Sequence, residues 1–239
     1  MIELPWLDPE QPPLFPPVTQ ALDDPPGILA FGGQLTAPWL LEAYRRGIFP
    51  WFNPGEPILW WSPDPRMVIL PENFKVRRSL KKTIRKQLYE ITFDQAFDQV
   101  LDGCAAARNY TDETWITPEM RTAYLGLHHD GYAHSVEAWQ DGELVGGLYG
   151  VAIGRIFCGE SMFARATDAS KVAFVHLVEQ LKAWGFELID CQVYTDHLAS
   201  FGAEEIERAR FLDYLKLYAA APMPVGHWSL EQRIKESVL

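Results

Sequence analysis

Two side chains of the stretch LIDCQV, residues 188 to 193, stand out in an otherwise apolar run: an acid, Asp190, and an amide, Gln192. The side-chain period of a strand puts Leu188, Asp190 and Gln192 on one face and Ile189, Cys191 and Val193 on the other. Their Cα atoms lie about 6.6 Å apart at roughly 3.3 Å per residue, close enough to bracket one small reacting group. A carboxylate in such a strand costs free energy unless it is paired or put to use. Asp190 therefore either satisfies a nearby turn, helix N-terminus or ion pair, or orients and deprotonates a substrate group. A second carboxylate, Glu160, lies near the end of GGLYGVAIGRIFCGESMF, residues 146 to 163. Its five glycines among alternating apolar residues predict strands whose backbone is open to a ligand, with Met162 and Phe163 bulky beside the acid.

Aromatic rings and cations form two further groups. Phe49, Trp51, Phe52, Trp60 and Trp61 lie among prolines and a glycine, where regular structure is not expected. They read either as a small core joining two layers or as a stacking platform for a base. Trp115 sits on a loop just before a helix start at Thr117-Pro118. Lys75, Arg77, Arg78, Lys81, Lys82, Arg85 and Lys86 put seven positive charges into twelve residues. On a helix starting at Ser79, Lys81, Lys82, Arg85 and Lys86 share an extended face, which is either a phosphate-binding ridge or a solvated surface. The adjacent His128 and His129 suit a helix C-terminus; no third ligand stands at metal spacing, so no metal site is expected.

Composition bounds what these groups can serve. A chain of 239 residues, 48% hydrophobic with nine Trp, supports a folded protein with a large domain and a smaller one. Its net charge of −11 excludes gripping nucleic acid over the whole surface, so any such contact is local. Cys104, Cys158 and Cys191 lack a CxxC spacing and give neither a disulfide framework nor a zinc site, which suits a reducing cytosol. The acidic, proline-rich opening MIELPWLDPEQPP and the lack of a long apolar run predict neither a signal peptide nor a membrane span.

The elements that must position these groups follow from punctuation and period. Eight prolines in residues 1 to 35 predict irregular structure. Thr36, Pro38 and Gly47 bracket a short helix. Pro63, Pro65 and Pro71 mark a boundary near residue 64, dividing the chain into residues 1–64 and 65–239. YEITF reads as a strand, and Asp94 as the cap of a helix burying Phe97, Val100, Leu101 and Cys104. The helix from Thr117 buries Met120, Ala123, Tyr124 and Leu127. Asp141-Gly142 marks a hairpin between YAHSVEAW and ELVGGLYGVAIG. RIFCGES adds a strand, and DASKVAFVHLVEQLKAWG is a long helix with Phe174, Leu177, Val178 and Leu181 inward, stopped by Gly185. LIDCQV then completes a βαβ step. Two helical pieces around Gly202 follow.

Hairpin, strand, long helix, strand is the order of the GNAT acyltransferase superfamily, so the expected fold is α+β: a small N-terminal α/β domain and a GNAT-like C-terminal domain. CoA users of that fold carry R-x-x-G-x-G/A before the long helix, so that backbone N–H groups cradle a pyrophosphate. Here the segment reads RATDAS, with Asp168 and Ser170 in place of both glycines. That disfavours CoA; the basic ridge and loop tryptophans fit an aminoacyl-tRNA better.

Ten motifs in order then carry a resemblance: GILAFGGQL, RGIFPWF, ILWWSPDPR, GCA, TWI, ELVGGLYG, FCGESMF, SK, LIDCQV and HLASFGA. Together they resemble the leucyl/phenylalanyl-tRNA–protein transferases. The resemblance implies a cytoplasmic enzyme, expected to be a monomer, that uses no metal or dissociable cofactor. It moves Leu or Phe, and less well Met, from tRNA to proteins with N-terminal Arg or Lys, marking them for N-degron proteolysis. It also implies that Trp51 and Trp115 hold the terminal adenosine; in the mechanism we expect for such a transfer, Asp190, hydrogen-bonded with Gln192, orients or deprotonates the attacking amine, and Glu160 attracts the acceptor's positive end. The donor side chain would enter a pocket of Leu148, Phe157, Met162, Phe174, Leu177, Leu181 and Ile189, and Arg77, Arg78, Lys81, Lys82, Arg85 and Lys86 would meet phosphates. The competing readings are a CoA-dependent N-acyltransferase, a tRNA-dependent peptidoglycan-bridge enzyme and a silent RNA-binding module.

Overall fold

The computed structural model describes residues 4–106, 116–224 and 226–230. A first sheet, in the order β1-β2-β4-β3, comprises β1 (Trp6–Leu7), β2 (Ile28–Gly32), β3 (Phe49–Pro50) and β4 (Leu59–Trp61), with α1 (Ala37–Arg45) between β2 and β3. Irregular structure was the expectation for residues 1 to 35 and for the aromatic stretch, and the strands correct both. ILAFG is itself apolar and free of proline, so β2 can pair with β1 on one side and β4 on the other. Pro50 has no N–H to give and lies on the edge strand β3, where the loss is tolerated.

The second sheet comprises β5 (Arg66–Ile69), β6 (Glu90–Phe93), β7 (Ala133–Gln140), β8 (Glu143–Ile153), β9 (Ile156–Ala164), β10 (Leu188–Gln192) and β11 (Glu204–Ile206), in the order β11-β5-β10-β9-β8-β7-β6. Its helices are α2 (Arg78–Arg85), α3 (Phe97–Ala105), α4 (Pro118–His129), α5 (Ala169–Ala183), α6 (Asp196–Ala199) and α7 (Arg208–Tyr218). The hairpin β7–β8 turns on Asp141 and Gly142, both at positive φ as a tight hairpin turn requires. β8 pairs antiparallel with β9, and β9 pairs parallel with β10 across α5. This is the hairpin–strand–helix–strand order expected from the sequence. One helix start differs from expectation. Asp94 does not cap α3 but turns back to Ser135 and His134 of β7, while Glu137 reaches over to accept the Ala96 N–H at 3.5 Å.

Each face of the large sheet has its own apolar layer. One is continuous with the first sheet and takes in α1, α3, α4 and α7; the other lies under α5 and α2. Phe174, Leu177, Val178 and Leu181 of α5 are buried in the second layer, each stabilising the fold by about 1.5–3 kcal/mol. Between β9 and β10 the ladder runs through Leu188–Ile156, Ile189–Phe157 and Asp190–Cys158 and stops there, while β9 continues to Ala164. The strands part beyond that point, and the gap opens both layers to a common cleft.

Candidate active site

The cleft, about 1130 Å³, lies where the strands part and is walled by β3, α5, β8, β9 and β10. Two irregularities aim polar groups into it. Along β9 the partners of Tyr149 and Gly150 are Ser161 and Gly159, which leaves Glu160 as an extra residue. Along β10 the partners of Val68 and Met67 are Asp190 and Gln192, which leaves Cys191 extra. Such bulges bend a strand and re-aim its side chains. Here they bring Gln192, held at φ 65°, onto Glu160, with Nε2 donating to Oε1 at 2.9 Å.

Glu160 is also held by two phenols from different helices. Tyr44 of α1 donates to Oε1 and Tyr124 of α4 to Oε2, each at 2.8 Å, and the two hydroxyl oxygens lie 2.6 Å apart. The triangle has three short oxygen–oxygen edges. With the carboxyl ionised, only the two phenol protons are available to fill them; with it protonated, there are three. Burial pushes the Glu160 carboxyl up to about 7, against the hydrogen bonds from Tyr124, Tyr44 and Gln192, and nearby Asp190 adds to the rise. Burial and the Glu160 charge likewise push both phenols well above the usual tyrosine value. The centre therefore sits at the boundary between holding and releasing a proton near neutrality.

Asp190 is elsewhere. Arg66, from the SPDPR turn, grips both of its oxygens, and the pair is sealed from solvent and absent from the cleft wall. Of the readings open for this carboxylate, the ion pair is the one the geometry shows, and its oxygens do not line the cleft. Asp190 still bears on the site, because its Oδ1 accepts the backbone N–H of Gln192 at 2.9 Å and so pins the bulge.

On the α5 side the cleft wall is apolar. Leu148, Phe157, Met162, Phe174 and Ile189 all line it, joined by Phe163 and Cys191. Ile189 and Asp190 point to opposite faces, as strand alternation dictates, and only Ile189 reaches the cleft. Leu177 and Leu181 do not line it; they are fully buried in the layer beneath α5. At 1.5 Å per residue, three and seven positions beyond Phe174 carry them about 4.5 and 10 Å down the helix axis. Close packing of glycine shapes the same wall: a Cβ on Gly150 would come within 2.5 Å of the Phe157 ring.

Trp51 stands at the cleft mouth, 48% exposed, its backbone carbonyl held by the indole N–H of Trp61 at 2.6 Å. Trp115 lies outside the described residues. Leu80 and Ile84 bury one side of α2, leaving Arg77, Arg78, Lys82, Arg85 and Lys86 exposed and Lys81 partly so. His128 and His129 part company: His129 is exposed, whereas His128 stacks on Phe97. His128, His227 and Asp94 each bring one potential ligand atom within 4.8 Å of the others, so a third group does stand near. The Asp94 oxygens already accept from Ser135, His134 and Trp228.

Tyr44, Tyr124 and Arg66 are site residues that sequence reasoning misses. Tyr124 sits on the helix face read as core, and Tyr44 on the buried side of α1; both are core residues as well. Arg66 had a usable signal, a lone cation opening the apolar run RMVIL, because a buried cation requires a buried acid.

Comparison with known proteins places the sequence. A family model described as leucyl/phenylalanyl-tRNA protein transferase matches residues 68–216, and the model of that family's N-terminal domain matches residues 33–64. The leucyl/phenylalanyl-tRNA–protein transferase of Chromohalobacter salexigens is 59% identical over 225 residues, covering 94% of this chain and 88% of the relative. That of Chromobacterium violaceum is 57% identical over 234 residues, covering 98% and 100%. Among solved structures, a GCN5-related N-acetyltransferase from Kribbella flavida overlaps 68% of this chain and 58% of its own, with a TM-score of 0.36 and 10% identity. The chain belongs to the leucyl/phenylalanyl-tRNA–protein transferase family, a family of aminoacyltransferases.

Proposed function

We propose that this cleft receives the aminoacylated 3′ end of a tRNA and passes leucine or phenylalanine, and less well methionine, to the α-amine of a protein beginning with Arg or Lys. The observation that carries the reading is one cleft in which an apolar wall meets a carboxylate gripped by three uncharged donors. The donor side chain lies against Leu148, Phe157, Met162, Phe174 and Ile189, where shape does the sorting. One methylene is worth only about 1–3 kcal/mol there, which admits Leu and Phe together. Trp51, with Trp115, stacks on the terminal adenosine, and the α2 cations meet phosphates of the same tRNA. Residues 1–64 thus act as a unit that completes the 3′-end site.

Glu160 draws in the cationic side of the acceptor, which favours its ionised form. The α-amine, neutral for attack, adds to the ester carbonyl; the carbonyl–oxygen bond to the ribose breaks, an amide forms, and the amine proton ends on the departing hydroxyl. An ester is already activated, so placement supplies much of the rate. Gln192, oriented by Asp190, holds the reacting groups in line, and no covalent enzyme intermediate, metal or dissociable cofactor takes part. The product is a protein with a new N-terminal Leu or Phe, marked for N-degron proteolysis. We place the reaction in the cytoplasm, carried out by a monomer; among the described residues no helix is long and apolar enough to cross a membrane.

The test is transfer of labelled Leu from Leu-tRNA to a peptide beginning with Arg, beside peptides with a blocked or Asp N-terminus and a parallel labelled acetyl-CoA reaction. Label moving from tRNA to the free Arg peptide alone is the expected result. Label moving only from acetyl-CoA overturns the donor.

A further inference from the structure

Behind the apolar wall lies a residue that no part of the reaction touches. Trp228, from the segment after α7, is 4% exposed and enclosed by rings: stacked on His134 at 3.6 Å, and against Trp184 at 4.9 Å, Phe186 at 5.8 Å and Phe157 at 6.0 Å. Its backbone N–H donates to Asp94 at 2.6 Å, which ties the segment to the β6–α3 turn. Phe157 is the one ring of this group that also lines the cleft. Gly150 of β8 leaves room for its ring on one side, where a Cβ would come within 2.5 Å of it, and the indole lies against it on the other at 6.0 Å.

Resting on the donor-pocket reading above, we propose that Trp228 is a specificity-determining residue: it buttresses Phe157 from behind and fixes the depth of the pocket that chooses the donor side chain. Close-packed interiors respond to the loss of a large neighbour by partial collapse. With Trp228 shortened, Phe157 moves back and the pocket deepens, to the advantage of the longer donor.

The experiment compares kcat/KM for Leu-tRNA, Phe-tRNA and tRNA charged with para-iodophenylalanine, using an Arg-initial peptide, in Trp228→Leu, Trp228→Phe and Phe157→Leu, with a melting curve for each. Trp228→Leu is expected to raise the Phe-to-Leu ratio about tenfold, the scale of a small change in pocket volume, and to raise the iodo-donor ratio further. Trp228→Phe shifts both ratios in the same direction by less, and it decides the matter if Trp228→Leu does not fold. If Trp228 variants lower all donors in parallel while Phe157→Leu changes the ratio, Trp228 is only structural and the proposal fails. If Phe157→Leu also leaves the ratio unchanged, the donor-pocket reading itself is what has failed.

Discussion

Arg66 and Asp190 form a two-pronged ion pair, Nε to Oδ1 at 2.8 Å and Nη2 to Oδ2 at 2.7 Å, with both side chains 1% exposed. The guanidinium also lies over the rings of Phe49 and Phe211 and donates to the Gly47 carbonyl. One pair thus ties β5, β10, the first sheet and α7 together beside the cleft.

Removing one partner strands the other charge. Asp190→Asn is expected to lose about 3–5 kcal/mol of stability in urea titrations, and Arg66→Met combined with Asp190→Leu to regain part of it. Assayed well below its own melting temperature, Asp190→Asn is expected to lose about 10–100-fold in kcat through a displaced Gln192, with the KM for tRNA unchanged. Undiminished kcat would remove Asp190 from the mechanism.

The raised Glu160 carboxyl gives two opposed pH effects. The folded chain keeps this proton to higher pH than the unfolded one. The stability it contributes is therefore fully present below the ordinary value of 4.5 and lost as pH rises through about 7. On the proposed reading transfer runs the other way, the ionised form attracting the cationic acceptor: the KM for an Arg-initial peptide is expected to fall as pH rises through about 7. Glu160→Gln is expected to flatten both profiles in that window and to leave only the limb set by the peptide's own amine. A KM profile in Glu160→Gln that matches the unsubstituted enzyme would sink the assignment.

Trp51 is the exposed ring at the cleft mouth, and on the proposed reading a base stacks on it. Trp51→Ala is expected to weaken binding of charged tRNA by about 1–3 kcal/mol, the worth of one stacked base, while Trp51→Phe keeps most of it. Filter binding measures both, and equal loss in the two variants would argue against stacking.

Charge reversal at Lys81, Lys82 and Arg85 is expected to weaken tRNA binding and to reduce the salt slope by about 0.7–0.9 for each phosphate no longer neutralised. An unchanged slope would return α2 to the solvated surface.

Leu177 and Leu181 belong to the core rather than the cleft. Leu181→Ala should therefore cost about 2–5 kcal/mol of stability and leave the Phe-to-Leu ratio of transfer unaltered, in contrast to Phe157→Leu.

Much of this molecule could be read in advance because its punctuation is local. Asp141-Gly142, Thr117-Pro118 and Gly185 each act within a few residues, and each stands where expected. The partial site could be read for the same reason: period two already set Gln192 apart from Ile189. What escaped depends on distance. Tyr44 and Tyr124 meet Glu160 across 116 and 36 residues of chain, and Arg66 meets Asp190 across 124. No periodicity encodes such meetings, and a tyrosine on an apolar helix face serves the core and the site with the same ring. The bulges were equally hidden, because an extra residue in one strand exists only relative to its partner.

The parting of β9 from β10 lets one pair of strands serve two layers at once. On the proposed reading, the side chains that choose the donor hang from the α5 side of the sheet, and the two phenols that hold Glu160 come from α1 and α4 on the other. On that reading a change of donor preference made beneath α5 need not disturb the phenols that hold the carboxylate, and β9 and β10 are the backbone the two faces share.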